Sequence, residues 1–222
     1  MKKYWIVPVV LGILLMSYPF LDRTYTWYKQ NKAFKEINEI DEIDIVNNKE
    51  TVEAYRILDD IFEFKINGKN NKQEKNIQSD IQQNTDEKKD KRKSTIGVLK
   101  IEKINLKIPI LYGASYGNLK TGAAQIAGTS PIGEIGNTAL AAHRSHTYGR
   151  LFNRLNELKE GDEIIIESGE SAYEYEVYKK SIVEPDDITV LYRNKKDKIL
   201  TLITCDPMYN PTHRLVVQCI QK

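Results

Sequence analysis

Ile199-Leu-Thr-Leu-Ile-Thr204, Cys205, Asp206-Pro-Met-Tyr-Asn-Pro-Thr212 and His213-Arg-Leu-Val-Val-Gln-Cys-Ile220 follow one another near the end of the sequence. Two apolar, β-branched runs stand on either side of a segment rich in polar residues and proline. That is the pattern of paired strands joined by a turn. Working back from this hairpin, similar short runs occur at Tyr173 to Val183, Glu163 to Glu167, Thr138 to Ala142, Ala123 to Ile126, Leu106 to Tyr112 and Gly97 to Ile101. Tyr173-Glu-Tyr-Glu-Val-Tyr178 alternates strictly, as a strand with one wet face should. Helical pattern is confined to short pieces such as Leu151 to Leu158, and Gly161-Asp162 reads as a turn into the next strand. Eight short strands in one unit from residue 95 to 222 predict a mostly β fold, a closed or nearly closed antiparallel-dominated barrel.

The residues before 95 have a different character. Met1-Lys2-Lys3 precedes Tyr4 to Leu21, which carries no charge, and Asp22-Arg23 closes the run. A hydrocarbon core roughly 30 Å thick needs about 20 helical residues, so residues 1–23 are expected to be an uncleaved membrane anchor. Lys2 and Lys3 stay inside, which sends the rest of the chain outside the cytoplasm. From 24 to 66 apolar residues recur near helical spacing, at Val52, Tyr55, Leu58, Ile61 and Phe62 among others. This segment is expected to be a helical stalk holding the β unit off the membrane; a regulatory arm packed on that unit is the other reading. Residues 67–94 open with the turn dipeptide Asn67-Gly68, contain no aromatic residue and carry the charge run Asp86-Glu-Lys-Lys-Asp-Lys-Arg-Lys93. Such a segment buries too little apolar area to offset its ordering entropy, so it reads as a flexible linker.

Composition excludes several classes of function. Among 222 residues, 33 Lys+Arg stand against 31 Asp+Glu, a net charge of +2, so the basic excess of a nucleic-acid binder is missing. Two cysteines rule out a disulfide scaffold, an iron-sulfur cluster and a four-cysteine zinc site. A disulfide between Cys205 and Cys219 fails on distance. If the hairpin sets Cys205 opposite His213, Cys219 lies about 20 Å along the partner strand at about 3.3 Å per residue. A disulfide tolerates Cα atoms only within about 7 Å. Cys219, mid-strand, reads as a buried small hydrophobe. Cys205 ends a strand, where a side chain is both held and reachable. A free thiol kept outside the cytoplasm is better explained by reactivity than by packing. His143 ends another strand, and Arg214 follows His213 in the partner of the Cys205 strand. Cys205, His143 and Arg214 therefore form a candidate cysteine-nucleophile constellation. The rival chemistry takes His143, His146 and His213 as zinc ligands, but His143 and His146 leave a strand into a Gly-containing loop instead of sharing a helix face. For His146 a groove-lining place is expected, and for His213 a turn.

These residues resemble a known family. Thr201-Leu-Ile-Thr-Cys205 is similar to the sortase T-L-x-T-C signature, followed by Arg214 in Thr212-His-Arg-Leu-Val-Val217 and preceded by His143 in Asn137-Thr-Ala-Leu-Ala-Ala-His-Arg144. The resemblance runs from about residue 95 to the end and includes Gly113-Ala-Ser-Tyr-Gly-Asn118 and Gly128-Thr-Ser-Pro131. His143-Arg144, the run Gly149-Arg-Leu-Phe-Asn-Arg154 and the absence of an apolar C-terminal segment look most like class D, with class A next. Class C enzymes usually carry a C-terminal anchor and an upstream aromatic Asp-Pro lid motif, and this sequence has neither.

The resemblance implies an eight-stranded sortase barrel and a cysteine transpeptidase that attaches surface proteins to a Gram-positive cell wall. Cys205 would attack the Thr carbonyl of an L-P-x-T-G or L-P-x-T-A sorting signal, and an amine of a peptidoglycan precursor would resolve the thioacyl enzyme. His143 would serve as general acid and base, and Arg214 would orient substrate and hold the oxyanion. The groove floor is expected at Ala141, Ala142 and Thr204. Its wall is expected at Val183, Ile188, Val190 and Leu191, with His146 also lining it. No cofactor is expected, although Glu184, Asp186 and Asp187 resemble the acidic loop with which some class A members bind calcium. The implied partners are surface proteins bearing sorting signals, the precursor amine and the membrane, with no nucleic acid. The implied location is the cell membrane, single-pass, with the catalytic domain outside. A membrane-tethered binding module without enzymatic activity, or a thioester hydrolase on the same scaffold, are the alternatives.

Overall fold

A computed structural model of the chain describes Tyr28 and residues 48–67, 95–192 and 196–222. The expected anchor at 1–23, most of the segment from 24 to 47 and the expected linker after residue 67 lie outside the described residues. Among the described residues no helix is long and apolar enough to cross a membrane.

Eight strands form where the short β-type runs lie: β1 Thr95–Ile101, β2 Leu106–Tyr112, β3 Ala123–Gln125, β4 Gly136–Ala141, β5 Glu163–Ser168, β6 Ser171–Val183, β7 Lys198–Asp206 and β8 His213–Gln221. They close into a barrel in the order β1-β2-β3-β4-β7-β8-β6-β5. The pairings are antiparallel except β2 with β3 and β4 with β7, which run parallel. Parallel neighbours need long connections. The β4 to β7 crossover is supplied by the β5–β6 hairpin and its flanking loops, and it leaves the ends of β4 and β7 side by side. Leu151 to Leu158 forms the short 3-10 helix Phe152–Glu157.

The pleat divides side chains between two clusters. Leu99, Ile108, Leu140, Leu202, Leu215 and Cys219 belong to the set that fills the barrel interior. The intervening residues Ala139 and Ala141 of β4, Ile203 and Cys205 of β7, and Val216 of β8 face outward into a second cluster. Small residues on β3 and β4 leave that outer face shallow, and other elements cover it.

One cover is helix α1, Asn48–Asn67. Tyr55, Leu58, Ile61 and Phe62 recur at helical spacing and are all buried in the outer cluster, while Glu50 sits in the first turn, where a carboxylate suits the helix dipole. The helix foreseen in the 24–66 segment is present, but it lies flat on the barrel and does not stand off from it as a stalk. The physical reason is its apolar stripe, which finds the exposed outer face of β4, β7 and β8. A second, shorter cover is helix α2, Tyr116–Thr121, capped by the Ser115 hydroxyl, which accepts from the Asn118 amide at 3.3 Å. Sequence periodicity did not reveal α2, because six residues are too few for a helical pattern. Where α2 ends, a Cβ at Gly122 would fall 2.2 Å from the Pro109 carbonyl oxygen, so only glycine permits β3 to approach β2 there.

Candidate active site

Cys205 and Arg214 are directly opposed in the β7–β8 ladder, and Asp206 faces His213. The hairpin register is therefore one residue away from the expected pairing of Cys205 with His213. The shift brings Arg214 across from the thiol. Cys219 faces Leu200 inside the barrel, and neither cysteine is in a disulfide. Burial pushes the Cys219 thiol well above the usual range.

His143 arrives from the parallel neighbour. The β4–β7 ladder ends at Ala141 and Ile203, and beyond it the Ala142 amide donates to the Ile203 carbonyl at 3.2 Å while the Thr204 hydroxyl donates to the Ala142 carbonyl at 2.8 Å. Continuing the register by two residues sets His143 beside Cys205. His143, Cys205 and Arg214 thus share one face at one end of the barrel, each almost fully buried.

They are buried because α1 covers them. The ring of Phe62 lies 5.5 Å from that of His143, and the Arg214 guanidinium carbon lies 5.3 Å from the Phe62 ring centre. Asp59 of α1 forms an ion pair with Arg214, whose other arm donates to the His213 carbonyl at 3.1 Å. Arg214 is 2% exposed, a burial tolerable for a guanidinium only with such partners. Tyr55, one turn before Asp59, has its phenol held protonated by burial, with Arg214 pulling the other way. Tyr116 of α2 meets His143 edge-on at 6.4 Å.

A cleft of about 210 Å³ remains open beside the cysteine, lined by Phe62, His143, Cys205, His146, Met208 and Tyr209 among others. His146 lies there, its Nε2 3.1 Å from the Met208 carbonyl and its ring 4.6 Å from that of Tyr209. At the far end of α1 a second cleft of about 320 Å³ lies between Thr51 and Val52 of the helix and Thr129, Asn137, Ile188 and Leu191 of the barrel.

The expected floor and wall residues divide. Ala141 faces the outer cluster, but Ala142 points into the barrel interior and Thr204 is spent on the Ala142 carbonyl, because alternate residues of a strand take opposite faces. The residues of these strands that face the outer cluster are Ala139, Ala141 and Ile203. Val190 and Leu191 form the wall from the 3-10 turn Ile188–Leu191, Val183 packs at its edge, and Ile188 borders the second cleft. Asn137 pins this wall: its amide donates to the carbonyls of Val190 (3.0 Å) and Tyr192 (3.1 Å) and accepts from the Thr201 hydroxyl (2.8 Å).

The other acidic and histidine candidates are used elsewhere. His213 Nε2 lies 3.4 Å from Glu184, and Asp187 caps the 3-10 turn by accepting from the Thr189 amide at 3.0 Å. The three histidines do not converge, and among the described residues no group of three metal-type side chains is assembled.

The sortase-domain family profile matches residues 99–221, the barrel and its reactive end. This chain belongs to the sortase family. It is 38% identical to sortase A of Bacillus anthracis over 126 residues, 57% of this chain and 59% of that protein, so the match spans little more than half of that relative. Against sortase A of Listeria monocytogenes it is 26% identical over 215 residues, 97% of this chain and 88% of the other. The solved structure of Streptococcus agalactiae sortase C1 in complex with MTSET superposes with a TM-score of 0.59 at 26% identity, covering 86% of this chain and 96% of that one. Sortases are cysteine transpeptidases, and this chain has the family's barrel with cysteine, histidine and arginine gathered at one end of it.

Asp59, Phe62 and Tyr55 were not recognised as site residues from the sequence. The signal lay in the helical stripe Tyr55, Leu58, Ile61, Phe62, which marks an apolar face in need of a partner. Nothing in it named the partner.

Proposed function

We propose that the protein is a membrane-anchored sortase that cleaves a sorting signal of the L-P-x-T-G or L-P-x-T-A type after threonine and joins the acyl group to a cell-wall precursor amine. The observation that carries this reading is the placement of Cys205, His143 and Arg214 at the adjacent ends of β7, β4 and β8. Cys205 attacks the threonine carbonyl as thiolate. Arg214 offers its donors to the oxygen as charge develops there, and His143 protonates the departing amine. The thioacyl enzyme is then attacked by the incoming amine, which gives its proton to His143. A five-residue motif extended at about 3.3 Å per residue spans roughly 16 Å. Thr51 to Phe62 of α1, at about 1.5 Å per residue, covers a similar length of the same outer face. Incubating the protein with sorting peptides and amines, and weighing the products, tests the reading. Transfer products that depend on both peptide and amine are expected; no Cys205-dependent cleavage of any peptide rejects it.

In this arrangement α1 is a cover that must leave before substrate enters. Asp59 occupies one arm of the guanidinium that the oxyanion needs, and Phe62 lies against His143 and Arg214 where it borders the cleft at Cys205. Burial of a phenylalanine side chain is worth about 1.5–3 kcal/mol. Phe62→Ala should therefore speed alkylation of Cys205 by iodoacetamide about tenfold or more, and Asp59→Asn should act in the same direction. Unchanged alkylation rates in both variants would mean that α1 does not gate the thiol.

The uncharged run Tyr4 to Leu21 behind Lys2 and Lys3 supports an anchor with the amino terminus inside and the catalytic domain outside. Protease added to intact protoplasts should digest the domain, and protection of the domain would reverse the topology.

A further inference from the structure

His143 must stand at a fixed distance from Cys205 to protonate the amine that departs as the thioacyl bond forms, yet both lie past the last paired residues of the β4–β7 ladder. The bonds that join Ala142 to Ile203 and Thr204 to Ala142 are the last described above between the two strands, and strand ends beyond such bonds splay apart unless something ties them. Arg144, next to His143, reaches across this gap. One arm of its guanidinium lies 3.4 Å from the Cys205 carbonyl and forms an ion pair with the carboxylate of Asp206. The pair is well removed from water, with side chains 8% and 20% exposed. At the other end, the backbone of Arg144 is fixed by a bridge to Leu151, and the His143 carbonyl accepts from the amides of Ser145 (3.0 Å) and Phe152 (3.2 Å). Leu151 holds a left-handed φ of 50° there, a conformation that costs a leucine energy and is maintained by its surroundings. The loop after His143 is thus braced on itself, and the Arg144 side chain bolts the brace to the strand that carries the nucleophile.

We propose that Arg144, with Asp206 as its counter-charge, is a positioning residue that sets the spacing of His143 and Cys205. Neither group needs to touch substrate in this role. Arg144 borders the open cleft beside Cys205, and the pair acts through the strand ends just beyond the thiol. Loss of one partner leaves a poorly solvated charge alone, and an unpaired Asp206 places a carboxylate next to a thiol that must ionise.

The role rests on the transpeptidase reading for its kinetic consequence but not for its test on the thiol. Arg144→Gln, Asp206→Asn and the double variant are compared in the full chain by peptide transfer kinetics, by the rate of Cys205 alkylation with iodoacetamide followed by mass, and by thermal melts. Each single change is expected to lower kcat by about tenfold or more with KM within about twofold, and to change the alkylation rate severalfold. The double variant should be no worse than the poorer single one, because residues that act as a unit are not additive. Additive losses, a rise in KM with kcat preserved, or lowered melting with kinetics and alkylation unchanged would each overturn the proposal. If no sorting peptide is turned over by the unaltered protein, the transpeptidase reading fails. The alkylation cycle still decides the positioning role: a non-additive change supports it, and alkylation rates unaltered by either substitution refute it.

Discussion

Cys205→Ala is expected to abolish both cleavage and transfer, a loss of roughly 10⁴-fold or more, the scale of deleting a covalent nucleophile. Cys219→Ala is expected to keep activity and to cost at most about 1–2 kcal/mol of stability as a small interior cavity. The two thiols differ in surroundings, not in chemistry. Cys219 is fully buried in the barrel interior, and with its pKa pushed well up it stays protonated and inert. Cys205 faces outward from β7, opposite Arg214 and beside the end of β4 that delivers His143. The measurement is product mass from sorting peptide and amine with each variant, alongside its thermal melt. A folded Cys219→Ala variant without activity would assign the chemistry to the wrong sulfur.

Arg214→Lys separates the observed role of this side chain as an anchor from the role proposed for it as an oxyanion donor. As the anchor of α1 it pairs with Asp59 and stacks near Phe62, and a weaker anchor would loosen the cover and raise activity. As an oriented donor to the developing oxyanion it needs its planar fork, which lysine lacks. The two roles predict opposite signs. The expected result is a fall of roughly 10² or more in kcat/KM, the scale of removing an oxyanion donor, despite the looser cover. Near-native or faster turnover by the lysine variant would leave Arg214 only its electrostatic and anchoring parts. Arg214→Ala should also lower the melting temperature, because this guanidinium is among the largest fully buried side chains and bridges helix to barrel.

The eight strands were legible because each is a short run of β-type residues bounded by turn formers. Cys205, His143 and Arg214 could be singled out because each lies at or next to the end of a strand. Helix α2 was not, being shorter than a helical repeat needs. The one-residue difference in hairpin register, and with it the direct opposition of Cys205 and Arg214, came from the geometry of the Asp206–Thr212 connection, whose backbone path residue types do not specify. Ala142 and Thr204 were expected in the groove because they adjoin Ala141 and Cys205 in sequence. Strand alternation turns them the other way.

By itself, then, the sequence determined local matters: which segments are strands, that the 24–66 segment carries apolar residues at helical spacing, and which cysteine ends a strand. Those follow from side-chain chemistry and from periods of two and 3.6 residues, which act over a few neighbours. The tertiary structure alone decided what lies across from what: the order in which strands close the barrel, the Arg144 to Asp206 tie, and the seating of α1 over the reactive end through Asp59 and Phe62. The last of these joins residues 155 positions apart. Such contacts depend on the shape of two finished surfaces and on burying an apolar stripe against a shallow face that fits it, and no local pattern encodes that match.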